Sequence, residues 1–164
     1  MKKAVKISEK CGILTAFADC SSERAAYRLA GEPDVSGLEN PFSDVPEGRW
    51  FTNAVIWAAN EGIVKGVGGT TFNPKGVLTR EQAATMLYRY AEAKGYDVTA
   101  RADLSGYADA EKLGASAREA MSWAVAVGLV NGRSAATLAP KAGTNRAELA
   151  ALLFRFAENV HPAQ

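Results

Sequence analysis

The spacing of apolar side chains predicts an amphipathic helix over residues 54–64. Apolar positions recur every three or four residues, which places them on one face of an α-helix. The residues of that face are Ala54, Trp57, Ala58 and Glu61. Gly62 suits the end of this helix, because glycine adopts the left-handed cap conformation at little cost.

A second helix is predicted to begin after Thr79. Thr79 and Gln82 have the spacing of a capping box, in which the hydroxyl accepts from a backbone N–H and the glutamine side chain reaches back to the cap residue. The apolar stripe that follows consists of Ala83, Met86, Leu87 and Tyr90.

The whole plan recurs, without a gap, 66 residues further along the chain. Residues 54–91 correspond to residues 120–157, and Asn145 with Glu148 takes the place of the first capping box. The second stripe consists of Leu149, Leu152, Leu153 and Phe156. A unit that is used at least twice is typical of a repeat protein that displays a binding surface, and such proteins seldom build a single buried catalytic centre.

Residues 1–34 hold either an eroded third copy or an unrelated amphipathic N-terminal helix, and the pattern favours the eroded copy. Helical spacing links Ile7, Cys11, Leu14 and Ala18. The tetrapeptide at 27–30 resembles that at 88–91, but it follows its glycine by 15 residues instead of 26. This copy would therefore keep two helices and lose its loop. We predict an all-α fold with six helices in three pairs, joined by linkers at 31–43 and 92–106.

Composition argues against several classes of protein. A net charge of +1 over 164 residues is untypical of an electrostatic nucleic-acid binder, which needs a concentrated basic face. No run of 18 apolar residues exists, so no membrane span is predicted. Cys11 and Cys20 lack the spacing of a disulfide framework or a zinc site, and we expect both to be free core residues. The chain start is not a convincing signal peptide, because Glu9 and Lys10 interrupt it.

The chain carries no recognisable catalytic signature. The only histidine, His161, lies close to the C-terminus. No serine stands in a nucleophile elbow, and no glycine loop has the form of a P-loop. We therefore predict that the protein is not an enzyme, and we predict neither a metal site nor a cofactor.

Each second helix begins with an arginine, Arg80 or Arg146. The helix dipole disfavours a cation there by about 0.3–1 kcal/mol at an exposed site, yet both copies keep it. Free backbone N–H groups beside a guanidinium would form a good pocket for a carboxylate or phosphate. A salt bridge from each arginine to a nearby aspartate, such as Asp44 or Asp109, is an equal alternative on physical grounds.

The three tryptophans fall into two groups. Trp50 precedes the first helix of the middle copy and lies outside its apolar stripe, so it is a candidate for stacking on a sugar ring. Trp57 and Trp123 lie on the apolar helix face, where the pattern favours packing in the core.

Ordered motifs over residues 35–160 resemble the signature of the S-layer homology (SLH) domain. The middle copy carries Phe42-Ser43-Asp44-Val45, Ala54-Val55-Ile56-Trp57-Ala58, Gly62-Ile63-Val64-Lys65-Gly66, Phe72-Asn73-Pro74 and Leu78-Thr79-Arg80-Glu81-Gln82. The last copy carries Tyr107-Ala108-Asp109, Trp123-Ala124, Gly128-Leu129-Val130-Asn131-Gly132, Leu138-Ala139-Pro140 and Asn145-Arg146-Ala147-Glu148. The resemblance divides the chain into a degenerate repeat at 1–34 and clear repeats at 35–97 and 98–164.

The resemblance implies three repeats in a pseudo-threefold helical array. Domains of this family anchor proteins non-covalently to the bacterial cell wall, and their ligand is a secondary cell-wall polysaccharide that often bears a pyruvate ketal. A Thr-Arg-Ala-Glu-like motif lines their grooves, and its arginine meets the ketal carboxylate. That motif corresponds to residues 79–82 and, with Asn145 in place of threonine, to residues 145–148. The resemblance therefore gives as candidate ligand-binding residues Arg80, Arg146, Thr79, Gln82 and Glu148. Trp50 joins them as the candidate for stacking on a sugar ring.

Two functions of different classes compete. The leading hypothesis is a carbohydrate-binding wall anchor at the cell surface. The alternative is a protein–protein assembly module with partial or lost sugar sites, which associates with itself through a surface left by the short first copy. Neither hypothesis involves nucleic acid or a membrane span.

Overall fold

The computed structural model describes residues 22–134 and 136–160. These residues form five α-helices and a short 3₁₀ turn, with three isolated bridges and no β-strand. The helices are α1 (Ser22–Leu29), α2 (Thr52–Asn60), α3 (Arg80–Ala93), α4 (Ala115–Ala126) and α5 (Arg146–Asn159), and the turn is Ala110–Lys112. The prediction of an all-α fold is confirmed. The helix predicted before α1, both cysteines and His161 lie outside the described residues.

Helices α3 and α5 begin at the predicted capping boxes. In α3 the Gln82 N–H donates to Thr79 Oγ1 at 3.3 Å, and the Thr79 N–H donates to Gln82 Oε1 at 2.9 Å. In α5 the Glu148 N–H donates to Asn145 Oδ1 at 2.9 Å, and the Asn145 N–H donates to Glu148 Oε2 at 3.0 Å. Each box supplies acceptors to N–H groups that a helix start otherwise leaves without partners.

A glycine in the left-handed conformation follows each of the helices α1 to α4. After α2, Gly62 has a φ of 72° and donates its N–H to Ala59 O, while the Ile63 N–H donates to Ala58 O. This Schellman motif ends α2 at Asn60, four residues before the predicted end. The same pair of bonds recurs after α1, α3 and α4.

The chain divides into two compact units, the first ending at Gly76 and the second beginning at Val77. Helix α1 packs on α2 in the first unit, and α3 packs on α4 in the second. The boundary falls inside the predicted repeat 35–97. Because α3 is the second helix of that repeat and α4 is the first helix of the next, the α3–α4 pair crosses a predicted repeat boundary.

Similar aromatic contacts join both packed pairs. Tyr27 and Trp57 have ring centroids 5.6 Å apart in the first unit, and Tyr88 and Trp123 have ring centroids 5.5 Å apart in the second. The eroded-copy interpretation of residues 1–34 aligns Tyr27 with Tyr88, so it accounts for this likeness. The assignment of residues 1–34 to a degenerate first repeat remains a proposal, and this shared contact supports it.

The predicted core residues are buried in both units. Trp57 is 3% exposed and Trp123 is 0% exposed, which confirms their assignment to the core. The apolar stripes of α3 and α5 are also buried; they comprise Ala83, Met86, Leu87, Tyr90, Leu149, Leu152, Leu153 and Phe156. The prediction that Glu61 shares the buried face of α2 is wrong, because Glu61 lies beyond the helix at its cap and is exposed.

Candidate functional site

The start of α3 is covered by residues 140–144, here called the strap. The Arg80 N–H donates to Ala142 O at 3.0 Å, and the Glu81 N–H donates to Pro140 O at 3.1 Å. In return the strap donates the N–H of its last residue to Leu78 O at 2.7 Å. Together with the capping box, these bonds occupy the first N–H groups of α3. The expectation of free N–H groups beside Arg80 is therefore wrong.

The Arg80 side chain is buried, with 8% of the residue exposed. Its Nε donates to Leu138 O at 2.9 Å, and its Nη2 donates to Asn131 O at 3.4 Å. Its Nη1 lies 3.7 Å from Glu148 Oε1. A neutral replacement would remove a donor from the buried Leu138 carbonyl and from the partly buried Asn131 carbonyl. Arg80 therefore has a structural role in holding the loop that precedes α5.

The predicted aspartate partners of the arginines bind backbone instead. Asp44 accepts N–H bonds from Phe72 at 2.8 Å and Asn73 at 2.7 Å. Asp109 accepts corresponding bonds, both 2.8 Å long, from Leu138 and Ala139. The suggested Arg–Asp salt bridges are therefore wrong, since Arg80 pairs with a glutamate and both aspartates close loops in their own copies.

Hydrogen bonding lowers the pKa of both aspartates below the ordinary carboxyl value. For Asp44 the largest cause is the Phe72 N–H, partly opposed by desolvation. For Asp109 desolvation raises the pKa, but the N–H groups of Leu138 and Ala139 outweigh it. Both loops are therefore built on ionised carboxylates.

Glu148 lies between two arginines at the start of α5. Its Oε1 is 3.7 Å from Arg80 Nη1 and accepts a bond from Arg133 Nη2 at 3.4 Å. The Asn145 N–H is the largest cause of its lowered pKa; burial opposes this, and the charges of Arg133 and Arg80 add to it. The carboxylate thus stays ionised between two guanidinium groups.

Arg133 is a candidate that sequence reasoning missed. It follows Gly132 in the last copy, where the middle copy has Val67 after its glycine. The sequence did contain a signal for Arg133, because a charged residue stands at only one of two otherwise similar loop positions. Its side chain is 51% exposed, so the guanidinium can reach a ligand while it contacts Glu148.

The start of α5 is open where that of α3 is closed. Arg146 is exposed, and its side chain has no hydrogen bond or ion pair within residues 22–134 and 136–160. Over the same ranges the backbone N–H groups of Arg146 and Ala147 have no acceptor. The two corresponding arginines therefore differ in environment, although the sequence pattern treats them alike.

The predicted site residues fall into two groups. The second unit contains Arg80, Arg146, Thr79, Gln82 and Glu148. Within it, Thr79 contacts Gln82 through the capping box, and Arg80 approaches Glu148. Trp50 belongs to the first unit, where it is 56% exposed and the Arg24 guanidinium lies 5.3 Å from its ring centroid.

Two further features of the described residues bear on other functions. Across 22–134 and 136–160, no group of histidine, cysteine and acidic side chains has an arrangement that could hold a metal ion. None of the helices in these ranges has the length and apolar character needed to cross a membrane.

Comparison with known proteins gives a consistent set of relatives. The model of the S-layer homology domain matches residues 41–84 and 106–150. The chain is 34% identical over 138 residues to the Surface-layer 125 kDa protein of Lysinibacillus sphaericus, covering 82% of this chain and 11% of that protein. It is 28% identical over 140 residues to the Cellulosome-anchoring protein of Acetivibrio thermocellus, covering 80% of this chain and 30% of that protein.

A third relative has the name of an enzyme. The chain is 31% identical over 117 residues to the Amylopullulanase of Thermoanaerobacterium thermosulfurigenes, covering 71% of this chain but 6% of that protein. The chain therefore spans less than a third of each of these three relatives.

Proposed function

Because the chain belongs to the S-layer homology domain family, we propose that it is an anchoring module that attaches a protein non-covalently to the bacterial cell wall. The observation that carries this proposal is the match of segments 41–84 and 106–150 to the family model. Relatives named as a surface-layer protein and a cellulosome-anchoring protein support a place at the cell surface. The small share of the amylopullulanase that matches supports a binding module rather than a catalytic one.

The proposed ligand is a secondary cell-wall polysaccharide that carries an acidic group such as a pyruvate ketal. A guanidinium binds a carboxylate through two parallel hydrogen bonds, and such charge-assisted bonds are about twice as strong as neutral ones. Arg146 and Arg133 have exposed side chains in the second unit and are the proposed direct contacts. Glu148 holds Arg133 in place by accepting its hydrogen bond.

The other candidate residues have supporting roles in this proposal. Arg80 fixes the loop that carries Arg133, since it donates to the Asn131 and Leu138 carbonyls on either side of it. Thr79 and Gln82 shape the start of α3 through their capping box. Trp50 contributes separately, in the first unit.

The experiment is sedimentation of the purified chain with isolated cell walls. Wall samples are prepared intact, stripped of polysaccharide, or stripped only of the ketal. We expect binding to intact walls, its loss on polysaccharide-free walls, and a weaker interaction without the ketal. The Arg133→Ala/Arg146→Ala double variant should bind intact walls at least about tenfold more weakly, since two charge-assisted contacts are removed. Equal sedimentation with all three wall samples would refute the proposal.

The closed start of α3 favours one alternative, an assembly module with partial or lost sugar sites. The strap and the capping box leave that helix start without free N–H donors. An assembly module would show concentration-dependent self-association by sedimentation velocity and no difference between wall samples. Wall binding by a monomer would exclude this alternative.

A further inference from the structure

We propose that Asn131 is a site of spontaneous covalent modification, at which the side-chain amide closes onto the nitrogen of Gly132, loses ammonia and is replaced by a carboxylate beside Arg133. The reaction consumes water and needs no other reagent. The modification is a property of this loop and does not depend on the proposed function, whereas its effect on wall binding rests on that function.

Both reacting groups are unengaged in the folded chain. Asn131 is exposed, and its side chain forms no hydrogen bond within residues 22–134 and 136–160. The Gly132 N–H has no acceptor among the same residues. Because glycine has no Cβ, its nitrogen is open to the approaching side chain of the preceding residue. Asparagine is a thermolabile residue, and this neighbour removes the main steric protection.

The reaction has two steps. In the first, the Gly132 nitrogen bonds to the side-chain carbonyl carbon of Asn131, the bond from that carbon to the amide nitrogen breaks, and ammonia leaves with the proton of the Gly132 N–H. Water then opens the resulting cyclic imide. Attack at the side-chain carbonyl gives aspartate, and attack at the main-chain carbonyl gives isoaspartate, whose backbone is longer by one methylene. Each product has a carboxylate in place of the amide.

A guanidinium assists the first step. The Gly132 nitrogen attacks after its N–H has lost the proton, and the anion so formed carries much of its charge on the carbonyl oxygen of Asn131. Arg80 Nη2 donates to that oxygen at 3.4 Å. A cation beside a group that becomes negative stabilises the charged form. The bond that holds this loop therefore also favours loss of the Gly132 proton.

Packing fixes the glycine of the reactive pair. A Cβ at Gly132 would lie 2.7 Å from Thr137 O, which is too close for a backbone contact. Gly66 of the middle copy is similarly confined, but Lys65 precedes it where the last copy has Asn131. Both loops therefore need glycine, and one of them places asparagine before it.

The other six asparagines of the chain lack this combination. Two precede proline, whose nitrogen has no proton to lose, namely Asn40 and Asn73. Three have side chains that are hydrogen-bonded to backbone groups, namely Asn60, Asn145 and Asn159. Asn53 lies within α2 and is followed by alanine. Asn131 is therefore the position at which we expect the modification.

The product changes the charge beside a proposed ligand contact. Arg133 lies two positions after Asn131, and its guanidinium already contacts Glu148. A second carboxylate in this loop would compete with an acidic ligand for Arg133 and would repel that ligand. The extra methylene of isoaspartate would also displace a loop in which Gly132 is closely packed. Conversion should therefore weaken wall binding.

The test follows the native full chain over time at mildly alkaline pH, where the Gly132 proton is lost more readily. Trypsin releases Asn131 in the peptide 119–133 and Asn145 in the peptide 142–146, and neither peptide contains another asparagine. Chromatography with mass detection separates the asparagine, aspartate and isoaspartate forms. We expect the first peptide to convert at least about tenfold faster than the second, which corresponds to a barrier lower by about 1.4 kcal/mol.

Asn131→Gln is the matched variant, because it keeps the amide but would have to close a larger ring. It should show no conversion at this position. The wild-type chain unfolded in urea gives the rate without the folded loop. Conversion of Asn131 in the unfolded chain but not in the native chain would overturn the proposal, since the loop would then protect the pair. Equal conversion of the two peptides in the native chain would overturn it as well.

Wall sedimentation of fresh and converted protein separates this proposal from the anchoring function. Full conversion should raise the Kd for intact walls about tenfold, whereas Asn131→Gln incubated in the same way should bind like the fresh wild type. Conversion in a chain that fails to sediment even when fresh would refute wall anchoring and leave the modification intact. Wall binding by a chain that shows no conversion would refute the modification and leave wall anchoring intact. Unchanged wall binding after full conversion would refute the effect on binding.

Discussion

Two corresponding loop residues, Asn73 and Ala139, hold the backbone in the left-handed region, with φ of 62° and 53°. Each of them directly follows a residue that donates its N–H to the aspartate of that loop. Each also donates its own N–H to the same aspartate. Asparagine visits this region several-fold more often than most residues, whereas alanine is strained there because its Cβ approaches the backbone. The residue at this position therefore suits the left-handed conformation in the middle copy and is strained by it in the last copy.

We predict that Ala139→Asn stabilises the protein by about 1 kcal/mol, through relief of that strain. The reciprocal change, Asn73→Ala, should destabilise it by a similar amount. The measurement is the midpoint of a urea unfolding curve at constant slope. A loss of stability in Ala139→Asn would show that the local conformation is not the controlling factor.

Substitution of Arg80 should mainly lower stability, whereas substitution of Arg146 should mainly weaken wall binding. Arg80→Ala removes donors from two backbone carbonyls and a partner from Glu148, so we expect a loss of about 1–3 kcal/mol in the free energy of unfolding. Arg80→Lys should restore part of it, since one ammonium cannot reproduce the planar fork. The measurement is urea unfolding beside wall sedimentation.

Arg146→Ala is the matched control for this prediction. The side chain is exposed and has no partner among the described residues, so stability should change by less than about 0.5 kcal/mol. Wall binding should nevertheless fall. An Arg80→Ala variant as stable as the wild type would contradict the structural role that we assign to Arg80.

At the scale of the helices, the tryptophans of α2 and α4 are large side chains buried in the helix contacts. Trp57→Ala and Trp123→Ala should each lower the free energy of unfolding by about 3–5 kcal/mol, because each removes a large buried side chain from a helix contact. Trp50→Ala, which removes an exposed ring, should lower it by about 1 kcal/mol or less. The measurement is thermal or urea unfolding followed by circular dichroism. A Trp57→Ala or Trp123→Ala variant that unfolds like the wild type but loses wall binding would make that residue a ligand contact.

The loops that precede α3 and α5 should respond to acid. The folded-state pKa values of Asp44 and Asp109 lie below the ordinary carboxyl value, so their contribution to stability is complete above that value and is lost as the pH falls through the folded-state pKa. We predict that wild-type stability declines between about pH 5 and pH 3, and that Asp44→Asn/Asp109→Asn makes the decline shallower. Glu47→Gln is the control, because this exposed side chain has no described partner. Equal slopes for the two variants, measured by urea unfolding at a series of pH values, would contradict the prediction.

Elements that depend on neighbours in sequence could be predicted, and those that depend on distant segments could not. A capping box joins residues three positions apart, so Thr79 with Gln82 was visible in the pattern and was found in the structure. The strap joins residues 140–144 to the start of α3 across some 60 positions, and no local signal reports such a pairing. The side-chain bonds of Arg80 to Leu138 O and Asn131 O span 58 and 51 positions, so the sequence pattern treated Arg80 and Arg146 alike.

At the scale of the whole molecule, the packed units are out of phase with the sequence repeats. The family model matches 41–84, yet the boundary between the units lies at Gly76 and Val77, within that match. The repeats are defined by motif order, whereas the units are defined by which helices cover each other's apolar faces. In the second unit, this covering takes place between helices of adjacent repeats.

The shared Tyr–Trp contact has a genetic consequence. Unequal crossing-over between tandem copies removes one repeat length, and here an in-frame loss of residues 58–123 would join Trp57 directly to Ala124. The recombinant helix would keep a tryptophan at the position that a preceding tyrosine contacts in both units. Each deletion of one repeat length produces the same kind of helix pair where the two copies are joined. A tandem array of these repeats can therefore change in repeat number without evolving a new interface. Cooperative thermal unfolding of the 58–123 deletion would show that the junctions are interchangeable, and a chain without a folding transition would show that they are not.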